Sequence, residues 1–185
     1  MKNGIKFLSL LILAILINAV SYGQYFKEKD NVLNLGIGLG SSIYASGGTT
    51  SFPPLSASFE YGVKEGVGPG VIGIGGLIGY TSAKYTFGVP GANYDWKTSY
   101  TVIGIRGSYH LVDLADKLDA YGGVMLGYSI VSVSGNNGTY SAGSASGANF
   151  SIFAGGRYYL TEKFAVMAEL GYGFAILNVG VALKF

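Results

Sequence analysis

From Asn31 onward the chain alternates between apolar and polar or small residues. Leu33, Leu35, Ile37 and Leu39 stand against Asn34, Gly36, Gly38 and Gly40. The same period of two closes the chain, where Leu177, Val179, Val181, Leu183 and Phe185 oppose Asn178, Gly180, Ala182 and Lys184. A two-residue period predicts a strand with one apolar face. Eight segments of this kind can be drawn, over residues 31–43, 55–63, 71–84, 97–110, 118–133, 148–160, 164–172 and 176–185. The third is the least regular: Ile72, Ile74, Ile78 and Tyr80 point outward, while Leu77 turns in. Segments of about ten residues match the tilted β-spans of a bilayer core.

The connections alternate as well. Residues 64–70, 111–117 and 161–163 are short and charged or Pro/Gly-bearing, like periplasmic turns. Residues 44–54, 85–96 and 134–147 are longer and rich in Ser, Gly, Asn and Thr, like surface loops. The fourth outer connection, 171–174, reads as a tight hairpin. Aromatic residues gather at segment ends: Tyr44, Tyr80, Tyr85, Trp96, Tyr100, Tyr128, Tyr172 and Phe174 at the outer side, and Tyr61, Tyr109, Tyr158, Phe164 and Phe185 near the periplasm. Two girdles are expected where amphipathic rings meet lipid headgroups.

Composition supports a chain facing lipid. It is 49% hydrophobic and only 12% charged, yet beyond Val20 no apolar run approaches a spanning helix. An apolar surface spread over alternate residues is what a membrane barrel requires. The N-terminus carries Lys2 and Lys6, then an apolar stretch over 7–20 interrupted by Ser9 and Asn18, then Ser21-Tyr22-Gly23. This predicts a signal peptide over 1–23, cleaved before Gln24, and a barrel domain over 24–185. The competing reading, an anchor helix, needs an apolar core of ~20 residues. Of the 185 residues, removal of the first 23 leaves 162, enough for one domain. Two of the 12 basic residues leave with the signal, so ten face ten acidic residues. A neutral chain offers no electrostatic case for nucleic acid. The absence of cysteine excludes lipid acylation at a cleavage-site thiol, disulfides and thiolate chemistry.

Two stretches carry a family resemblance. Gly155 to Phe164 reads Gly-Gly-Arg-Tyr-Tyr-Leu-Thr-Glu-Lys-Phe, and Ala168 to Gly173 reads Ala-Glu-Leu-Gly-Tyr-Gly. Together with Leu-Asp-Ala-Tyr-Gly-Gly at Leu118 to Gly123, they resemble the outer-membrane β-barrel domain proteins common in Bacteroidetes. That group is similar to the membrane domain of outer-membrane protein A, to OmpX and to the opacity proteins. The resemblance implies an eight-stranded antiparallel up-and-down transmembrane barrel in the cell outer membrane, monomeric and without cofactor. It also implies outer-membrane lipid and the barrel-assembly machinery as partners, with Phe185 as the assembly signal. The implied roles are structural, or surface interaction and adhesion with an extracellular ligand through the loops. A small passive or gated conduit is the alternative.

Four charges fall on inward positions: Glu60, Arg106, Arg157 and Glu169. They read either as a gated lumen or as a structural network filling a narrow interior. Eight strands leave room only for side chains, and buried charges must pair. Strands six and seven are neighbours, so Arg157 with Glu169 is the expected pair; Glu60 with Arg106 would have to reach across a strand. An enzyme reading rests on the single histidine, His110, with Ser108 on the same face and Asp113 nearby. The topology puts His110 at the periplasmic rim, so it reads instead as an interfacial hydrogen-bonder. Gly68-Pro69-Gly70-Val71-Ile72-Gly73 fits a dinucleotide fingerprint, but no helix follows it. Asn137-Gly138-Thr139 fits a glycosylation acceptor and reads as a loop turn. No His/carboxylate cluster suggests a metal.

Overall fold

A computed structural model of the chain describes residues 25–43, 49–89, 92–135, 138–141 and 146–185. The expected signal peptide and the Asn137 turn lie outside the described residues. Among the described residues nine strands form: β1 Asn31–Leu39, β2 Thr49–Glu65, β3 Gly70–Val89, β4 Ala92–Ala115, β5 Leu118–Gly135, β6 Gly138–Ser141, β7 Gly147–Tyr159, β8 Phe164–Tyr172 and β9 Leu177–Lys184. Every pairing is antiparallel. The sheet closes on itself where β1 meets β9, from Val32↔Lys184 to Leu39↔Leu177. Eight strands make the ring. The short β6 lies against the upper end of β5, beyond the β5–β7 ladder, so it prolongs β7's place in the wall rather than adding a stave. The fold is a closed eight-stranded antiparallel barrel.

Alternation decides which face is which. Large apolar side chains stand on the outside, with Ile105 67% and Leu170 62% exposed. The inside holds the charges, small residues and two apolar clusters. Leu77 points in, as its parity requires.

Several expected loops are strand. The β3–β4 ladder runs without a register shift from Gly70↔Leu111 to Val89↔Ala92, taking in most of the expected loop over 85–96. Tyr85, Thr86, Phe87, Tyr94 and Trp96 are aromatic or β-branched, and such residues favour strand when a partner continues alongside. In the same way β2 begins at Thr49 and β4 continues to Ala115. The tight turn that remains carries Lys117 at φ 61. The wall is therefore lopsided. β2 to β5 rise far above β1, β8 and β9, whose upper ends are tied by a short turn. In that turn Gly173 takes φ +115, which a side chain would resist. Its carbonyl accepts from Ser42 N at 3.2 Å and its N–H donates to Ser42 Oγ at 2.7 Å.

Candidate functional site

Beneath that turn the lumen is filled from end to end, in three layers. At the rim where Phe185 follows the last strand, the described segment before β1 folds into the mouth. Phe26 packs with Val32, Val71, Tyr159, Ala165 and Ala182. Tyr25 stacks on Tyr159 at 5.1 Å, and Lys184 Nζ donates to the Tyr25 carbonyl at 2.8 Å. At the opposite end Phe174, just past the β8–β9 glycine, turns inward onto Leu77, Val102, Tyr121, Met125 and Phe153. Gly79 faces the Phe174 ring so closely that a Cβ there would collide with it. Phe174, Tyr85 and Tyr100 were expected in the outer girdle. All three are buried: Tyr85 and Tyr100 stand at inward positions of β3 and β4, and the β8–β9 turn carries Phe174 over the lumen.

The middle layer is charged. Arg157 is 1% exposed and uses its fork in three directions: Nε donates to Asn34 Oδ1 at 2.9 Å, Nη1 to Asp119 Oδ2 at 2.9 Å, and Nη2 to Glu60. Its guanidinium lies 4.6 Å from the Tyr121 ring. Arg106 pairs with Glu169 at 2.6 Å and covers the Phe153 ring at 3.8 Å. Tyr121 OH donates to Glu169 at 3.3 Å, linking the two groups.

All four expected charges thus meet in the lumen, but the partners are exchanged. Arg157 does not pair with Glu169, nor Glu60 with Arg106. The register explains the exchange: Arg157 lies opposite Met167 while Glu169 lies opposite Gly155, one inward step higher. In so narrow a tube a long side chain reaches the far wall more readily than its own diagonal neighbour. Asp119 joins the network unanticipated. The signal was present, since Asp119 shares inward parity with Tyr121 and Met125 on the fifth segment.

His110 departs furthest from expectation. It is 1% exposed, inside the barrel rather than at its rim. Strand β4 continues five residues beyond it, and Phe26 stacks on its ring at 4.0 Å. Nδ1 lies 2.6 Å from Asp119 Oδ1, and Nε2 lies 3.1 Å from both Glu60 Oε1 and Ser108 Oγ. Ser108 donates to Glu60. The side chain of Asp113 lies outside the described residues, and Asp119 holds the position imagined for it. A serine, a histidine and an aspartate in this order have the outline of a hydrolytic triad. A carboxylate faces each ring nitrogen, an arrangement that suits imidazolium donating on both sides, and in that form the ring has no lone pair to act as a general base. In that form three cations, Arg106, Arg157 and His110, meet three carboxylates, Glu60, Asp119 and Glu169, and the buried charge sums to zero.

A cavity of about 20 Å³ lies between Arg106, Glu169, Ser151, Phe174 and Asn178. That is space for one water. Asn178 Oδ1, buried without a partner, lines it. No cluster of metal-ligating side chains occurs among the described residues. Phe185 sits at the terminal rim, 68% exposed, its ring 6.4 Å from that of Phe59.

No protein-family model matches the chain, and no curated protein matches it in sequence. Among solved structures, it is similar to the N-terminal β-barrel domain of Pseudomonas aeruginosa OprF. The two share 15% identity at a TM-score of 0.52, over 86% of this chain and 100% of that one. It is also similar to Ail, the attachment invasion locus protein of Yersinia pestis, at 13% identity and a TM-score of 0.46, over 85% of this chain and 95% of that one. A second structure of Ail, in complex with the heparin analogue sucrose octasulfate, gives a TM-score of 0.47 at 13% identity, over 85% and 96%. The likeness to OprF is one of fold.

Proposed function

We propose that the chain is a non-enzymatic integral outer-membrane β-barrel protein that presents its tall β2–β5 wall at the cell surface as an interaction structure. The observation that carries this reading is the inverted distribution of polarity. The outside is apolar where a soluble barrel would be polar, and the inside holds a neutral, fully paired charge network. Such a surface is stable against hydrocarbon, because the closed ladder leaves no backbone edge unpaired within the band. The charged rim at Tyr25 and Phe185 then faces the periplasm and the tall wall faces outward. Two apolar plugs on either side of the charges favour a structural and surface role over a conduit.

The reading is tested by orientation. In intact cells a cysteine at Gly135, exposed at the top of β5, reacts with an impermeant thiol reagent, whereas one at Glu162, in the β7–β8 turn, reacts only after lysis. The unheated protein also migrates differently on gels from the boiled one. Labelling of Glu162→Cys alone inverts the orientation, and labelling of both with no heat shift removes the barrel from the membrane.

A further inference from the structure

Outside the lumen, charge is distributed very unevenly. Among the described residues at and above the upper apolar band, 40–43, 49–58, 76–89, 92–104, 124–135, 138–141, 146–154 and 171–180, three carry charge: Lys84, Asp95 and Lys97. The three lie together. Lys84 and Lys97 are direct cross-strand partners on β3 and β4, both on the outward face, and Lys84 Nζ bonds Asp95 at 2.8 Å. Lys97 has no ion-pair or hydrogen-bond partner among the described residues. Like charges directly opposite on one sheet face destabilise it, so two lysines there call for more anion than the one aspartate supplies. The hydrogen bond from Lys84 holds the Asp95 carboxyl below its usual range, so the patch keeps one net positive charge.

Height points to the ligand. On β3 the outward apolar residues end at Ile78 and Tyr80, with Ile103 beside them on β4. Lys84 follows four residues above Tyr80, ~13 Å along the strand at ~3.3 Å per residue. At a tilt of ~40° that is roughly 10 Å above the band, and a lysine stem can lie back along the wall toward it. Beside Lys84 runs an open cleft of about 420 Å³ lined by Thr49, Thr50, Ser51, Lys84 and Thr86; the Thr86 hydroxyl donates to Asp95 Oδ1 at 2.7 Å, and Thr49, Thr50 and Ser51 bring three more hydroxyls next to the ammonium.

We infer that Lys84, Lys97 and this hydroxyl-lined cleft bind the phosphorylated headgroup of a lipid in the outer leaflet. The lysines meet the phosphate and the hydroxyls its polar surroundings. The inference rests on the outer-membrane reading. Its test uses the mature chain in phosphatidylcholine nanodiscs doped with diphosphoryl lipid A, or with the same lipid after phosphatase treatment, and native mass spectrometry reads the lipid retained. The parent should retain the phosphorylated form preferentially. Lys97→Ala should weaken retention about fivefold, the worth of one lysine near a charged surface, and Asp95→Asn should strengthen it. Lys64→Ala, on the opposite rim, should change nothing. Equal retention of both lipids, or equal retention by Lys97→Ala, overturns the site. Competition by millimolar inorganic phosphate in detergent as strong as that of the lipid would make it a site for a free anion and overturn the lipid assignment. A chain that enters no nanodisc refutes the membrane reading itself, and is separable from these results by its lack of heat-modifiable mobility.

Discussion

Arg157 is the residue on which the interior depends most. It holds two carboxylates from two other strands, Glu60 on β2 and Asp119 on β5, and it reaches both directly. Arg157→Ala should destabilise the barrel by about 3–5 kcal/mol, because Glu60 and Asp119 are left buried with only His110 between them. Urea unfolding of the refolded chain in detergent micelles measures this. Arg157→Lys should recover little, since one ammonium cannot serve Asn34, Asp119 and Glu60 in three directions. Adding Glu60→Gln and Asp119→Asn to Arg157→Ala should restore much of the loss, as the uncompensated charges are then gone. Equal stability of Arg157→Ala and the parent would mean that water reaches the network. The membership of this network was legible in the sequence and its pairing was not. Parity along one strand says that a side chain faces inward. Which side chains meet across the tube depends on the stagger at closure, which is set by all eight ladders together.

Strands were legible where period two was unbroken. β8 spans the expected 164–172, and β9 departs from 176–185 by one residue at each end. The upper parts of β2, β3 and β4 were not, because serine, threonine, glycine and tyrosine compose both loops and exposed strand. There the partner strand, not the local composition, supplies the reason to extend. The same ambiguity hid Phe174, an aromatic at a strand end that reads as girdle and serves as plug. The final strand carries a separable prediction. Phe185 is exposed, and what holds it is its N–H, which donates to the Asn31 carbonyl at 3.0 Å. Deleting Phe185 should therefore leave refolding in detergent nearly unchanged. In cells the same deletion should lower the amount of heat-modifiable protein in the outer membrane, with unfolded chain collecting in the periplasm. Equal losses in both settings would make Phe185 a stabilising contact and not an assembly signal.

The described lumen of the barrel holds its barriers in series. A path for ions would have to pass the Phe26 cluster, cross between Arg157, Glu60, Asp119 and His110, pass Arg106 with Glu169, and then pass Phe174 with its five neighbours. No single truncation removes more than one of these barriers, and an eight-stranded ring has little slack to open the others. Phe174→Ala should therefore cost stability through the cavity it leaves, on the order of 3–5 kcal/mol, without a steady current in planar bilayers. Phe26→Ala should behave alike at the other mouth. The expectation for both, and for the parent, is conductance at the level of the bare bilayer. A sustained current in Phe174→Ala would show that the charge layer conducts once its apolar cover is gone, and the conduit reading would then displace the structural one. Because the charges are matched three against three and paired directly across the tube, removing the cover exposes a closed network and not an open pore.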